Sequence, residues 1–415
     1  MWHISIANMA MRAISLGGRF LLSIYIVHDL GLFAAGIFGI ISGVAGFAPS
    51  LCGFGISYFI NREIVTLAPD ARYRLLRDRL CLNIVTAGAV WIAAWLCMAC
   101  LHVSAPVHPV LIGLIITLEF LAFDLHLALI NMRKPVTANF LLFIRSSSWI
   151  VPFILIGWWN RNLHSLQFLF LCWLIALTAS FVMLAYVFRD ADLRVLRRLP
   201  IDWAGLWRRA RKSPLIYAND VASNGQVFLD RFIVLNFLGV IPTGLYTLYF
   251  STTHGLYVLV ATAITQLSMP KLVEAKLSGG AAGWRQAIVA EGWKAVGLAS
   301  CVVFIALVMT LLFLPMIGFG GFTRDKTLFG LMALTALLKP VADLLNTGLY
   351  SLGIDRALAL INLAAVLASV LLAIAGIGLF GLHGIGMSAL ATQLFLIAIR
   401  SMVLKRHFHP VTAAA

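Results

Sequence analysis

The chain has 415 residues, of which 61% are hydrophobic and only 11% charged, with 31 Lys+Arg against 16 Asp+Glu. Soluble domains carry roughly 25% charged residues, so a polypeptide this apolar has too few polar groups to cover a globule in water. An ordinary soluble enzyme is thereby excluded, and at about 22 residues per crossing twelve membrane spans would use about 265 residues and leave about 150 for connections.

In chain order, apolar runs of spanning length fall near 5–27, 32–60, 80–100, 109–130, 139–159 and 166–188, then near 214–238, 243–268, 294–317, 327–352, 356–378 and 384–404. The expected fold class is an all-α polytopic membrane protein with about twelve transmembrane helices, arranged as two pseudo-symmetric six-helix lobes around a central cavity. The expected domains are an N-terminal lobe at 1–200, an amphipathic cytoplasmic linker at 201–213 and a C-terminal lobe at 214–415. Alternate connections carry 22 basic residues on one side and 3 on the other, namely Arg161, Arg324 and Lys326. Basic loops stay in the cytoplasm, so both termini of this multi-pass protein are expected there. The net charge of +15 then reflects insertion and attraction to anionic membrane lipids, and no nucleic acid partner is expected. Arg12 and Arg19 interrupt the first apolar run, so no cleavable signal peptide is expected.

The connection between the halves places Trp203, Leu206 and Trp207 at i, i+3, i+4, ahead of Arg208, Arg209, Arg211 and Lys212. That pattern predicts a short helix lying on the membrane surface, aromatic side down; Trp284 and Trp293 bracket a weaker segment of the same kind. The two halves also echo each other. Residues 30–38 and 238–246 share L-G-x-x-x-x-G-[IL]-[FY] between the first and second helix of each six, with Arg19-Phe20 and Arg231-Phe232 upstream.

Six basic residues lie inside spans, and polar side chains form stripes there. Asn8, Arg12, Ser15, Arg19 and Ser23 follow one helical face of the first span, with Arg12 and Arg19 about 10 Å apart along the axis. The seventh span carries Asp220, Asn224 and Arg231 with Asp230 beside them; the tenth carries Thr335, Lys339, Asp343, Asn346 and Tyr350; the fourth carries Glu119, Asp124 and His126. A charge at mid-membrane costs roughly 2.5–3.5 kcal/mol on insertion scales, so it faces a wet cavity or a partner. Structural roles compete for several positions: Lys339 and Asp343 as an i, i+4 pair, Asp230 and Arg231 as an inter-helix pair, Arg145 and Arg400 snorkelling toward a surface, and His126 as a packed, hydrogen-bonded histidine. The first-span arginines have no acid on their own face. Guanidinium groups stay ionised and bind phosphate bidentately, which points to an anionic headgroup. The six cysteines lie in or beside apolar segments, where they read as small packing residues. No G-K dipeptide, H-E-x-x-H or G-x-S-x-G occurs, so no nucleotide site, metal, cofactor or hydrolytic activity is expected.

F-G-I-S-Y-F-I-N-R-E-I (Phe54–Ile64), L-D-R-F-I-V-L-N-F-L-G (Leu229–Gly239), G-L-Y (Gly244–Tyr246), Q-L-S-M-P-K-L (Gln266–Leu272) and G-x-x-G-I-G-M-S-A-L-A-T (Gly381–Thr392) resemble the multidrug/oligosaccharidyl-lipid/polysaccharide (MOP) flippase superfamily. More narrowly, the chain resembles its bacterial O-antigen and exopolysaccharide flippases. The resemblance implies a non-enzymatic transporter that carries a polyprenyl-pyrophosphate-linked oligosaccharide from the cytoplasmic to the periplasmic leaflet by alternating access. A polysaccharide polymerase and chain-length machinery are the implied partners, and first-helix arginines, here Arg12 and Arg19, act on the cargo. The candidate substrate-binding residues are Arg12, Arg19, Arg231, Asn224, Lys339, Asn346 and Tyr350; the candidates for proton or sodium coupling are Asp220, Asp230, Glu119 and Asp124. The alternative function is a multidrug or organic-cation antiporter of the same superfamily.

Overall fold

The computed structural model describes the chain except Met1, residues 101–105, Arg133, residues 190–198, Ile317 and residues 409–415, and except the side chains of residues 2–10, Arg12, Pro69, 97–99, Arg161, Gln266, Asp355 and Phe408. The described chain is helical. In lipid no water satisfies a bare amide, so each span must close its hydrogen bonds internally. The helices are α1 (Trp2–Tyr25), α2 (Gly31–Cys52), α3 (Ile56–Thr66), α4 (Pro69–Cys100), α5 (Pro109–Asn131), α6 (Pro135–Phe143), α7 (Ile150–Trp159) and α8 (Leu166–Val187). There follow α9 (Trp203–Lys212), α10 (Pro214–Leu238), α11 (Val240–Val260), α12 (Gln266–Val308), α13 (Lys326–Ser351), α14 (Asp355–Phe380) and α15 (Leu382–Phe408).

Among the described residues nine stretches are long and apolar enough to cross a membrane. Two of them, Ala13–Cys52 and Val240–Met316, each hold two crossings. The polar α10, with Asp220, Asp230 and Arg231, supplies a further one, which brings the number to the expected twelve. Large side chains such as Trp159 (94% exposed) and Leu371 (69%) would promote aggregation in water and are at home against acyl chains.

Several boundaries differ from the sequence reading. The second span breaks after Cys52: Phe54 (φ 51°) and Gly55 (φ 64°) both take left-handed backbone, and α3 starts anew at Ile56. Arg79 Nη1 donates to Gly53 O at 3.1 Å and Ser213 Oγ to Phe54 O at 2.6 Å, so the freed carbonyls are satisfied. Helix α4 starts at Pro69 rather than near residue 80, and α12 runs on through the expected surface segment, turning only at Gly280 (φ 58°, ψ −145°). Trp284 is accordingly buried, with its indole donating to Ser351 Oγ at 3.0 Å, while Trp293 is exposed. The fifth span consists of α6 and α7 joined by a π-helical turn, Ile144–Ser148.

The chain divides into two compact units, one comprising Met1–Leu30 and Ile37–Asn224, the other Gly31–Gly36 and Gly225–Ala415. In the first, Leu125, Leu129, Ala138, Leu141 and Leu184 form one core cluster. In the second, Leu272, Trp284, Ala342, Leu349, Ile361 and Leu396 belong to the main cluster. The repeated glycines have two distinct uses. Gly31 (φ 85°) and Gly239 (φ 87°) make the turn that starts the second helix of each six. Gly36 and Gly244 let backbones touch, since a Cβ on Gly244 would stand 1.9 Å from Leu32 O and one on Gly36 would stand 2.3 Å from Val240 O.

Helix α9 forms where expected, capped by Asp202, whose side chain accepts from Gly205 N at 2.8 Å. Its buried side is aliphatic, however: Leu206 packs with Ile56, Ile60 and Leu75, whereas Trp203 and Trp207 stay exposed. Arg209 Nε donates to Glu63 Oε1 at 3.0 Å, and this bond raises the guanidinium pKa further above its ordinary value. The helix is fastened to the first unit as well as facing a surface.

Candidate functional site

In the first unit, α1 packs along the π-helical turn at 144–148, where Ser147 Oγ donates to Ser15 O at 3.0 Å. Ser15 and Ser23 are buried, Ser23 donating to Arg19 O at 3.0 Å, so the small members of the expected stripe fill a helix contact. Arg19 itself is exposed, and no carboxylate pairs with it among the described residues. The side chains of Asn8 and Arg12 lie outside the described residues.

The two fourth-span acids are closed off. Asp124 Oδ2 accepts from Arg79 Nε at 2.8 Å and from Asn83 Nδ2 at 2.7 Å, and Oδ1 accepts from Ser57 at 3.0 Å. Glu119 pairs with Arg145, carried on the π-helical turn, and accepts from Trp173 Nε1 at 3.0 Å. Arg145 therefore does not snorkel; it is 8% exposed, because an acid on the preceding span lies at its own depth. The same correction holds for Arg400 in the second unit, 4% exposed, which donates to Ala342 O at 2.7 Å and Asn362 Oδ1 at 2.8 Å. His126 is hydrogen-bonded as expected, its Nδ1 at 3.0 Å from Ala138 O. Arg79, counted by sequence among the loop charges, is 2% exposed. The i, i+4 spacing of Arg79 and Asn83 on one helix was the available signal for an inward polar face.

Helix α10 distributes its polar groups over both units. Up to Asn224 it belongs to the first, where Asn224 Nδ2 donates to Asp220 Oδ1 at 3.0 Å and both residues are half-buried. From Gly225 it belongs to the second. There Arg231 is buried, its guanidinium 4.2 Å from the Phe250 ring centroid and 5.6 Å from that of Phe228, a cation–π arrangement. Asp230 faces a cavity of about 70 Å³ in the second unit, which also holds Gln226, Tyr246, Tyr257, Lys339 and Thr392. Tyr246 donates to Asp230 Oδ2 at 3.0 Å. Lys339 Nζ sits 4.5 Å from the Tyr257 ring centroid, and Tyr257 donates to Asp343 Oδ2 at 2.6 Å. The i, i+4 pairing of Lys339 with Asp343 is thus replaced by a tyrosine set between them. Farther along α13, Asn346 is half-buried and Tyr350 is 45% exposed.

The structure thus groups Asp230 with Lys339, and Asp220 with Asn224, while Glu119 and Asp124 each close on an arginine. The cavity residues missed by sequence include Gln226, Tyr246, Thr253, Tyr257, Ser369, Ser388 and Thr392. Tyr246, Ser388 and Thr392 lay within the motifs Gly244–Tyr246 and Gly381–Thr392, and the i, i+4 spacing of Ser388 and Thr392 in an apolar helix was a further signal.

These features define a multi-pass membrane protein, helical among its described residues, whose fold is shared with solved flippases and transporters. The lipid II flippase MurJ in an inward closed conformation superposes with a TM-score of 0.74 at 11% identity, over 98% of this chain and 88% of that one. An inward-facing multidrug-resistance MATE transporter of the MOP superfamily gives 0.62 at 13% identity over 100% and 96%, respectively. A MOP superfamily transporter from Pyrococcus furiosus, described as having a binding pocket of reverse polarity, gives 0.59 at 12% identity over 98% and 96%. No family model matches the sequence, and no curated protein matches it.

Proposed function

We propose that the protein is a flippase moving a polyprenyl-pyrophosphate-linked oligosaccharide from the cytoplasmic to the periplasmic leaflet of a bacterial inner membrane, for O-antigen or exopolysaccharide synthesis. The observation that carries this reading is Arg19, an exposed guanidinium within the first span that no described carboxylate neutralises. Such a group facing acyl chains would cost roughly 2.5–3.5 kcal/mol or more, so it belongs on a wet path, where it would attract a pyrophosphate or an acidic sugar. Arg12 would extend that path, and Asn224, Asn346 and Tyr350 would meet the glycan. The fold shared with a lipid II flippase supports a lipid-linked cargo. The 22-to-3 asymmetry of basic residues supports cytoplasmic termini. With no nucleotide motif in the chain, the driving force would be an ion gradient, the membrane potential or removal of product. One charge crossing 100 mV is worth about 2.3 kcal/mol. Among the four candidate coupling acids, Asp220 and Asp230 are the ones without an arginine clamp, which favours them for that role. A polymerase and chain-length machinery would consume the product.

The MATE-like fold supports a second reading, an organic-cation antiporter. The two separate in a strain whose surface polysaccharide depends on this protein. Arg19→Ala abolishes the polysaccharide at normal protein levels and Arg19→Lys retains part of it; full polysaccharide from both variants overturns the role of Arg19. A deletion strain with intact polysaccharide and raised drug susceptibility favours the antiporter.

A further inference from the structure

Five hydroxyl oxygens whose protons are engaged elsewhere line the cavity of the second unit, beside the amides of Gln226 and Gln393 and the ring of His254. Thr253, Thr335, Ser369, Ser388 and Thr392 come from four helices, α11, α13, α14 and α15, and all face it. Each hydroxyl directs its proton to a carbonyl of its own helix: Thr253 to Tyr249 O at 2.9 Å, Thr335 to Leu331 O at 2.9 Å, Ser369 to Val366 O at 2.8 Å, Ser388 to Ile385 O at 2.9 Å and Thr392 to Ser388 O at 2.8 Å. A hydroxyl has one proton, so with that proton engaged it presents lone pairs to the space beside it. Asp230 adds a carboxylate. About 70 Å³ holds an ion with part of its hydration or several waters. Hard oxygen donors around one carboxylate, in low-dielectric surroundings, attract a small cation.

One cation is already there. The Lys339 ammonium offers three donors and no acceptor, complementary to such walls, and it lines the cavity from α13. Its position 4.5 Å from the Tyr257 ring centroid adds a cation–π contact. No carboxylate lies within ion-pairing distance of it among the described residues; Asp343 accepts from Tyr257 and Asp230 from Tyr246. The charged and titratable groups around the cavity are Asp230 and Arg231 on α10, Tyr246, His254 and Tyr257 on α11, and Lys339 and Asp343 on α13; α10 adds the Gln226 amide, α14 a hydroxyl, and α15 two hydroxyls and the Gln393 amide.

We propose that the Lys339 ammonium is the resident cation of this cavity, seated where a free alkali-metal ion would otherwise bind, so that the second unit goes through its cycle without taking up sodium. The consequence for coupling rests on the transporter reading, whereas the occupancy does not. Lys339→Met keeps the length of the side chain and removes the charge, leaving acceptor oxygens and Asp230 around a vacancy.

The test is the melting temperature of the purified full-length protein in sodium, lithium and choline chloride at matched ionic strength. The wild type melts at the same temperature in all three. Lys339→Met, and Lys339→Gln as a more polar alternative should the first not fold, gain about 4 °C or more in sodium, as expected for an ion bound well above its dissociation constant. Adding Asp230→Asn removes the gain. Sodium-specific stabilisation of the wild type, or no response from the folded Lys339 variants, overturns the proposal. The measurement needs no lipid cargo, so a failed polysaccharide assay with the expected cation response counts against the flippase reading alone.

Discussion

Glu291 of the second unit is held by Lys271 and Lys294, but the acids deep within the spans are treated differently in the two units. In the first, Asp124 and Glu119 are each bound by an arginine and by further donors, with Arg79 2% exposed. In the second, Asp230 accepts from a neutral tyrosine and otherwise faces a cavity shared with Lys339. A carboxylate fully engaged by a guanidinium has no freedom to exchange a proton or an ion, and its chief effect is on which fold is stable. A carboxylate beside a small wet space keeps that freedom. Similar residue types within apolar helices therefore divide into clamps and working groups according to what faces them.

That contrast can be broken experimentally, most forcefully in the first unit. Asp124→Ala leaves Arg79 buried without its counter-charge and is expected to destabilise the folded protein by about 3–5 kcal/mol, read as a large fall in melting temperature in detergent. The double change Arg79→Met with Asp124→Leu recovers most of it, because the cost lies in the orphaned charge. The second unit has a clamp of its own, and Arg400→Ala measures it. Losing the charged hydrogen bonds to Ala342 O and Asn362 costs about 1.5–3 kcal/mol, again on the melting curve and with transport reduced only in proportion to folded protein. The smallest stability effect belongs to Asp230→Asn, which keeps the shape and an acceptor for Tyr246. Its melting temperature stays within about 1 kcal/mol of the wild type in equivalent stability, while surface polysaccharide is lost. If Asp230→Asn unfolds the protein as Asp124→Ala does, the distinction between the units fails.

Much of the architecture was legible because span length and helical periodicity are local properties. The stripe on α13 was read from spacing alone, and Thr335 and Lys339 do face one cavity. The repeat L-G-x-x-x-x-G was visible as letters, and the structure gives each glycine a separate task, a left-handed turn at Gly31 and Gly239 and a backbone contact at Gly36 and Gly244. The pairing of charges was not legible. Arg145 and Glu119 are 26 residues apart and Arg79 and Asp124 are 45 apart, and nothing in either helix alone states which neighbour stands at the same depth. Arg145 and Arg400 looked like snorkelling residues for that reason, since position along a helix was known and the facing helix was not. The break at Phe54–Gly55 was likewise hidden inside a continuous apolar run, where a left-handed phenylalanine has no sequence signature.

What the amino-acid order decided unaided was the solvent and the secondary structure: with so few charges the chain enters lipid, and there an unpaired peptide group is so costly that helices of spanning length follow. Tertiary packing decided the fate of each buried charge, because the energy of an ion in a low-dielectric interior depends on the few ångströms to its partner. Those distances are set by how helices remote in sequence lie against one another within each unit.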